Sequence, residues 1–312
     1  MRRGRRALLR ALMLVPRGLV WRFARTYIAG DTLEDGLAVA RRLNEEGCRA
    51  TLDVLGEGVR DERAVREYVD AYKRAIDGIV GSGVQANVSV KPTALGLALS
   101  SGLALEAVGE VLERAARDGL TVRLDMEDSS VTQKTLDLYR ALRQRGHDNV
   151  GVVLQAYLRR TLDDVRRLAS EGASVRICKG IYIEPREIAY QDDDVVRRSF
   201  VDAVRVMLDG DGTFTAVATH DEALVFETRR LLRERDIGPD RYEFQMLLGV
   251  DAELRRLIVA EGHPMRVYVP FGSGWYAYSL RRLVENPRLA SHVARNVLGF
   301  GPGRSADAAA GG

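Results

Sequence analysis

The sequence predicts an α/β chain folded as a (β/α)8 barrel, and three observations point there. Eight short apolar runs recur from about residue 49 onward. Between them lie longer segments whose apolar residues are spaced by three and four, the period of a helix packed on one face. No G-x-G-x-x-G opens any strand-to-helix turn, which argues against an open doubly wound sheet. Strand then helix, repeated eight times, is the pattern of a parallel sheet closed on itself.

The elements follow in order. Residues 1–30 form a basic amphipathic segment: Arg2, Arg3, Arg5, Arg6, Arg10, Arg17, Arg22 and Arg25 precede the first acid, Asp31, and Leu8, Leu9, Leu12, Leu19, Trp21 and Phe23 are interleaved with them. Its longest uncharged run, Ala11–Pro16, is far short of the ~20 apolar residues needed to span a bilayer. Two readings stand for it: a helix packed on the barrel with its arginines in water, or a basic face that touches anionic lipid. The barrel is expected over residues 31–300, with strands near 50–54, 86–90, 121–125, 150–155, 174–178, 214–218, 241–245 and 266–270. Segments 61–80, 129–144 and 221–235 read as helices; in the second, Thr132, Leu136, Tyr139 and Leu142 keep to one side. Residues 301–312, rich in Gly and Ala, read as a disordered tail.

Composition narrows the function. A net charge of +3 gives no case for a nucleic-acid partner. Cys48 and Cys178 are too few and too far apart for a disulfide framework, so a reducing compartment fits. The four histidines, His147, His220, His263 and His292, form no H-E-x-x-H, and no metal site is expected. Of 47 basic residues only Lys73, Lys91, Lys134 and Lys179 are lysines, so a lysine is a non-routine choice. Two of these four fall at predicted strand ends.

Barrel enzymes work at the C-terminal ends of their strands. Gly56 and Glu57 follow the first run, and Lys91 follows the second. Asp125 ends the third, with Glu127 and Asp128 beyond it, and Gln155 ends the fourth. Arg176 lies in the fifth, with Lys179, Gly180 and Tyr182 after it. Thr219, His220 and Asp221 follow the sixth, Glu243 and Gln245 lie on the seventh, and Tyr268 on the eighth. Polar groups converging on one rim are what a ligand site requires. After the last strand, Tyr278, Arg281 and Glu285 share a helical face beside Arg282, which is also the pattern of a solvated helix with an Arg–Glu pair.

At these residues the chain resembles the proline dehydrogenase family, from about Thr26 to Leu298. TLDVLGE, VSVKPTALG, RLDMED, VLQAYLRR, VRICKGIYIEP, ATHD, YEFQMLLG, RVYVPFG and SLRRLVENP stand in the family's order and at its spacing. The resemblance implies a distorted barrel that oxidises L-proline to Δ1-pyrroline-5-carboxylate with FAD as hydride acceptor, the first step of proline catabolism. It also implies the stand-alone form of the enzyme, without the aldehyde dehydrogenase module of bifunctional relatives. Arg281 and Arg282 would hold the proline carboxylate through planar guanidinium forks, and Lys91 would add a third positive charge. Tyr268 and Tyr278 would wall the ring, with Leu247 as an apolar contact. Family members that prefer hydroxyproline carry a smaller residue where Tyr278 stands, so proline is favoured. Asp125 would orient its neighbours; a helix N-cap is its plainer reading. Arg176 and Gln155 would meet the flavin edge. Lys179, Gly180 and Ile181 would approach the ribityl and phosphate region, and Thr219 and His220 the pyrophosphate or adenylate half. Glu285 would hold Arg281. The family usually has alanine at the position of Ile181.

Electrons would pass on to a membrane quinone or another acceptor, and product to a separate aldehyde dehydrogenase. That places the protein in the cytoplasm, in peripheral contact with the inner face of the membrane. The competing readings are a Schiff-base enzyme using Lys91 or Lys179, a metal-dependent barrel using Asp125, Glu127 and Asp128, and a membrane-associated scaffold built on the basic N-terminus.

Overall fold

A parallel barrel buries both faces of every strand, one against helices and one in its lumen, so residue alternation decides what fills each. The computed structural model describes residues 17–56, 59–276 and 278–280. They fall into two units. The larger runs from Thr26 to Trp275; the smaller holds residues up to Arg25 and from Tyr276 on, including helix α1 (Arg17–Ala24). No helix among the described residues is long and apolar enough to cross a membrane.

The larger unit is a closed barrel of β1 (Arg49–Val54), β2 (Ala86–Val90), β3 (Val122–Leu124), β4 (Val150–Gln155), β5 (Ser174–Cys178), β6 (Phe214–Ala218), β7 (Tyr242–Leu247) and β8 (Met265–Phe271). The strands pair in sequence order and in parallel, and β8 returns to β1 with Thr51 opposite Tyr268. These are the eight predicted runs, with ends moved by one or two residues. Although β3 is shorter than predicted, the Asp125 N–H donates to Val90 O at 2.9 Å, which keeps Asp125 in register at the strand end. Between the strands lie α3 (Glu62–Ser82), α4 (Ser101–Ala116), α5 (Ser129–Gln144), α6 (Thr161–Ser170), α7 (Asp193–Asp209), α8 (Glu222–Glu234) and α9 (Ala252–Ala260), while α2 (Leu33–Glu45) precedes β1. Several start on a capping carboxylate: Asp61, Asp128, Asp192 and Asp221 each accept from first-turn N–H groups.

The two faces of the strands differ in kind. Outward residues are apolar and buried against helices: Ala50, Leu52, Val88, Val90, Leu124, Val175, Ile177, Val267 and Val269. Inward positions carry most of the polar residues, among small or apolar ones such as Gly151, Val153 and Ala216, and the polar ones bond across the lumen. At its N-terminal end Arg266 Nε donates to Glu243 Oε1 at 2.7 Å, Thr51 Oγ1 to Asn87 Oδ1 at 2.6 Å, and Arg123 NH1 to Ser174 O at 2.9 Å. Most barrels fill this space with layers of branched apolar side chains. Here a network of hydrogen-bonded polar side chains takes up much of it.

The helix before β1 covers the seam where the barrel closes. Helix α2 packs on β1 and β8, and Gly36 lets the Phe271 ring approach to 3.1 Å of where a Cβ would stand. Ala29 N–H donates to Pro270 O and Gly272 N–H to Gly30 O, both at 2.9 Å, which fastens the segment to β8. Another close approach lies at Gly249, where φ is +72° and a Cβ would fall 1.7 Å from Thr26 O. Gly249→Ala is expected to destabilise the fold by at least about 1–2 kcal/mol, through a left-handed backbone and a clash that backbone must absorb. Urea unfolding checks this; an unshifted midpoint contradicts the approach.

Candidate active site

The upper half of the lumen is organised by carboxylates that cannot stand alone in a buried space. Asp125, at the end of β3, is 15% exposed at its side chain and uses each oxygen on a different wall. Oδ1 accepts from Arg176 NH1 at 2.7 Å and from Ser89 Oγ at 2.6 Å; Oδ2 accepts from Tyr268 OH at 2.6 Å. One carboxylate thus ties β2, β5 and β8 together. The N-cap of α5 is Asp128, which accepts from Ser130 N–H, so the plainer reading of Asp125 does not describe it. Arg176 also sends Nε–H to Gln245 Oε1 at 2.5 Å, and its guanidinium carbon lies 5.3 Å from the Tyr268 ring centroid.

Asp53 is the second such carboxylate. Its side chain is fully buried, and Lys91 Nζ donates to both oxygens at 2.7 Å. Tyr72 OH reaches Oδ1 at 3.4 Å; burial, then the Asp53 charge, pushes that phenol well above its ordinary pKa, so it remains a donor. Glu127 faces elsewhere: its oxygens accept from Thr93 N–H at 2.9 Å and Thr93 Oγ1 at 2.6 Å, while its backbone oxygen takes Gln155 Nε2 at 2.9 Å. Burial raises the Glu127 carboxyl above the usual range despite those bonds. Asp125, Glu127 and Asp128 therefore have separate partners and do not converge as a carboxylate set.

A third group lies beyond β5 and β6. Asp221 Oδ2 accepts from Lys179 Nζ at 2.5 Å and from Arg197 Nε at 2.7 Å, while Oδ1 caps α8 through Ala223 N–H. Thr219 is buried, and its Oγ1 accepts from Asp221 N–H at 3.0 Å. His220 Nε2 accepts from Leu247 N–H at 3.1 Å, which places the ring proton of a neutral imidazole on Nδ1 and joins β6 to the end of β7. Gly180 has φ +107°, and the Tyr157 ring fills the space 2.2 Å from where its Cβ would be. Glycine is thus required here by the protein itself. Ile181 and Cys178 are half-buried, Cys178 with Sγ 3.6 Å from Leu154 O.

Among the described residues, Arg176 NH2 and Gln155 Oε1 have no hydrogen-bond partner. They sit on adjacent strands β4 and β5, a donor beside an acceptor. That set suits the edge of a heteroaromatic ring bearing both N–H and C=O groups. With Lys179 and Arg197 a short way along the rim, the donors fit a flavin joined to phosphate. Tyr278 belongs to the smaller unit. Arg281, Arg282, Glu285 and Glu57 lie outside the described residues, as do residues 1–16 and 301–312.

The family model described as proline dehydrogenase matches residues 37–295. The chain is 36% identical to "Proline dehydrogenase 1" of Bacillus subtilis over 88% of its own length and 90% of that protein. It is 34% identical to "Proline dehydrogenase" of Deinococcus radiodurans, over 89% and 91%. This chain belongs to the proline dehydrogenase family. Among solved structures it superposes on proline utilization A from Bdellovibrio bacteriovorus with a TM-score of 0.78, at 24% identity, covering 89% of this chain and 34% of that one. The present chain therefore spans about a third of that longer protein, and this likeness speaks for the fold.

Within the proline dehydrogenase frame, both lysines singled out by their rarity are salt-bridged, Lys91 to Asp53 and Lys179 to Asp221. Each amine is thus already held by a carboxylate rather than presented to a substrate carbonyl. The lysines fit binding better than Schiff-base chemistry. Asp53, Ser89, Tyr72 and Arg197 are not among the residues expected from the sequence, and Gln245 is expected there only as one of the polar groups on the rim. For Asp53, Ser89 and Gln245 a signal existed: each is polar two residues from another polar residue, Thr51, Asn87 and Glu243, inside an apolar strand.

Asp221 yields a pH prediction. Burial raises its pKa, but the hydrogen bonds from Lys179 and Arg197 outweigh that and hold it at about 2, below the ordinary 3.8. A depressed carboxyl stabilises the fold above its unfolded pKa and loses that contribution as pH falls through the folded value. Asp221→Asn, which retains a cap acceptor, is expected to cost about 1–2 kcal/mol at neutral pH, after allowing for the partly exposed Lys179 and Arg197. The difference from wild type should shrink between about pH 4 and 2. Urea titrations across that range check it, and a difference that stays constant contradicts the pairing.

Proposed function

We propose that this protein oxidises L-proline to Δ1-pyrroline-5-carboxylate with FAD as the electron acceptor. The observation that carries the reading is the Asp125 carboxylate locking Arg176 and Tyr268 at the C-terminal mouth of a proline dehydrogenase barrel. When bound, FAD supplies the two-electron acceptor that no side chain can provide.

The chain's own residues bind and orient. Arg281 and Arg282 hold the proline carboxylate in bidentate fashion, and Lys91 adds charge from the position Asp53 fixes. Glu285 steadies Arg281. Tyr268, Tyr278 and Leu247 wall the pyrrolidine ring and keep water from it. Tyr268 cannot swing away while its hydroxyl donates to Asp125. The substrate nitrogen, with its lone pair unprotonated, pushes as hydride leaves the adjacent ring carbon, and the C=N bond forms. Asp125 orients Arg176 and Tyr268 by hydrogen bonding rather than taking the hydride. Arg176 offers its remaining terminal nitrogen, and Gln155 its oxygen, to the flavin edge. The cation favours charge arriving there. Lys179, Gly180 and Ile181 line the ribityl and phosphate region, and Thr219 and His220 the pyrophosphate or adenylate half. Ile181, in place of the family's usual alanine, narrows that approach.

Electrons then pass to a membrane quinone or another acceptor. The basic segment 1–25 would serve as a peripheral contact on the inner face of the membrane, with product handed to a separate aldehyde dehydrogenase. The reading is tested by the absorbance spectrum of FAD-reconstituted protein without oxygen. L-proline should bleach the oxidised flavin bands. Bleaching by hydroxyproline alone would reassign the substrate, and failure to retain flavin would remove the proposal.

A further inference from the structure

Arg176 is aimed by a chain of groups that continues well below the site. Gln245, two residues from Glu243 on β7, meets two neighbours with its amide. Its Nε2 donates to Glu243 Oε1 at 2.6 Å, and its Oε1 accepts from Arg176 Nε at 2.5 Å. Glu243 is 2% exposed, Gln245 5% and Arg176 7%, so water takes little part in this arrangement. Glu243 Oε1 also accepts from Arg266 Nε at 2.7 Å, and Arg49 stands 3.8 Å from Oε2.

An amide can be turned two ways, and the two are not equivalent here. An ionised carboxylate only accepts, and a guanidinium only donates. With NH2 toward Glu243 and oxygen toward Arg176, both contacts are satisfied. The reverse would set oxygen against oxygen and N–H against N–H in a buried space. What holds this arrangement is that Glu243 stays ionised. Burial pushes its carboxyl up, but Arg266 outweighs that and holds it below the usual range. Arg123 and Arg49 add to the same side.

We propose that Gln245 is a positioning residue for proline oxidation, and that Glu243, in the N-terminal half of the lumen, sets its orientation. The Glu243 carboxylate fixes which end of the amide faces up. That end takes the Nε–H of Arg176, and Asp125 takes NH1, so two edges of the guanidinium are held and the third nitrogen has one direction left. Neither Glu243 nor Gln245 need touch substrate or flavin. The inference rests on the reading of Arg176 as a flavin-side residue.

Three variants of the full chain test it: Gln245→Met, which keeps length and the Glu243–Arg266 pair; Glu243→Gln, which removes the fixed acceptor; and Arg176→Lys. In FAD-loaded enzyme, Gln245→Met and Glu243→Gln are each expected to lower kcat by about 10–100-fold with KM for L-proline within about threefold. In flavin-free protein labelled with 15N-arginine, the Arg176 Nε–H resonance, assigned by its loss in Arg176→Lys, should exchange with water about tenfold faster or more in both variants. That readout does not depend on turnover, and Gln245→Met keeps the test open where Glu243→Gln fails to fold. Unchanged exchange together with kcat within twofold of wild type in Gln245→Met overturns the proposal. So does a loss in Glu243→Gln that Gln245→Met does not share, since Glu243 would then act through Arg266. If Arg176→Lys itself keeps wild-type kcat, the underlying reading of the site fails and takes the proposal with it, whereas loss in Arg176→Lys with no effect in Gln245→Met overturns the positioning role alone.

Discussion

Two oxygens of one carboxylate hold the mouth of this barrel together. Asp125 accepts from Arg176 on one side and Tyr268 on the other, residues from strands that are not neighbours of β3. A carboxylate so little exposed is tolerable only with partners of this strength, because desolvation costs a lone charge several kcal/mol. The same requirement runs both ways: the Arg176 guanidinium, 7% exposed, needs Asp125 and Gln245 as much as they need it. The pair therefore fixes geometry more than it adds stability, which is the better-attested use of buried charge.

That constraint explains the division of labour between the two faces of the strands. Stability comes from outward Val, Ile, Leu and Ala residues packed under the helices, where apolar burial contributes about 25 cal/mol per Å2. The lumen carries polar groups anchored to one another, from Arg266 and Glu243 at one end to Lys91 and Asp53 at the other. Helix α2, ahead of β1, packs on both strands at the seam, and the segment from Tyr276 on belongs to the smaller unit. The residues expected to hold the substrate carboxylate belong to that segment.

The strands were legible because parallel strands buried on both sides make short apolar runs, and all eight were found within a residue or two. In the structure, polar residues at alternate positions, such as Arg123 and Asp125 or Glu243 and Gln245, face inward. What alternation does not give is the partner. Asp125 meets Tyr268 only because closure brings β8 across from β3, and no local pattern encodes that distance. Lys91 was noticed for its rarity, yet its anchor Asp53 lies 38 residues away on another strand. The resemblance puts Gly180 near the ribityl and phosphate region; its left-handed φ and the Tyr157 ring give glycine a reason that needs no ligand. The family-level resemblance supplied roles for Arg281, Arg282 and Glu285, but those roles rest on order and spacing alone.

The central claim is that Tyr268 and Arg176 serve proline oxidation as one unit held by Asp125. The most direct measurement is a double-mutant cycle on kcat/KM for L-proline in FAD-loaded enzyme, using Asp125→Asn, Tyr268→Phe and the two together. The account predicts a loss of about 100-fold for Asp125→Asn, and little further loss when Tyr268→Phe is added, because the hydroxyl acts through the carboxylate. Losses that simply multiply would contradict it, as would an Asp125→Asn enzyme with wild-type kcat/KM.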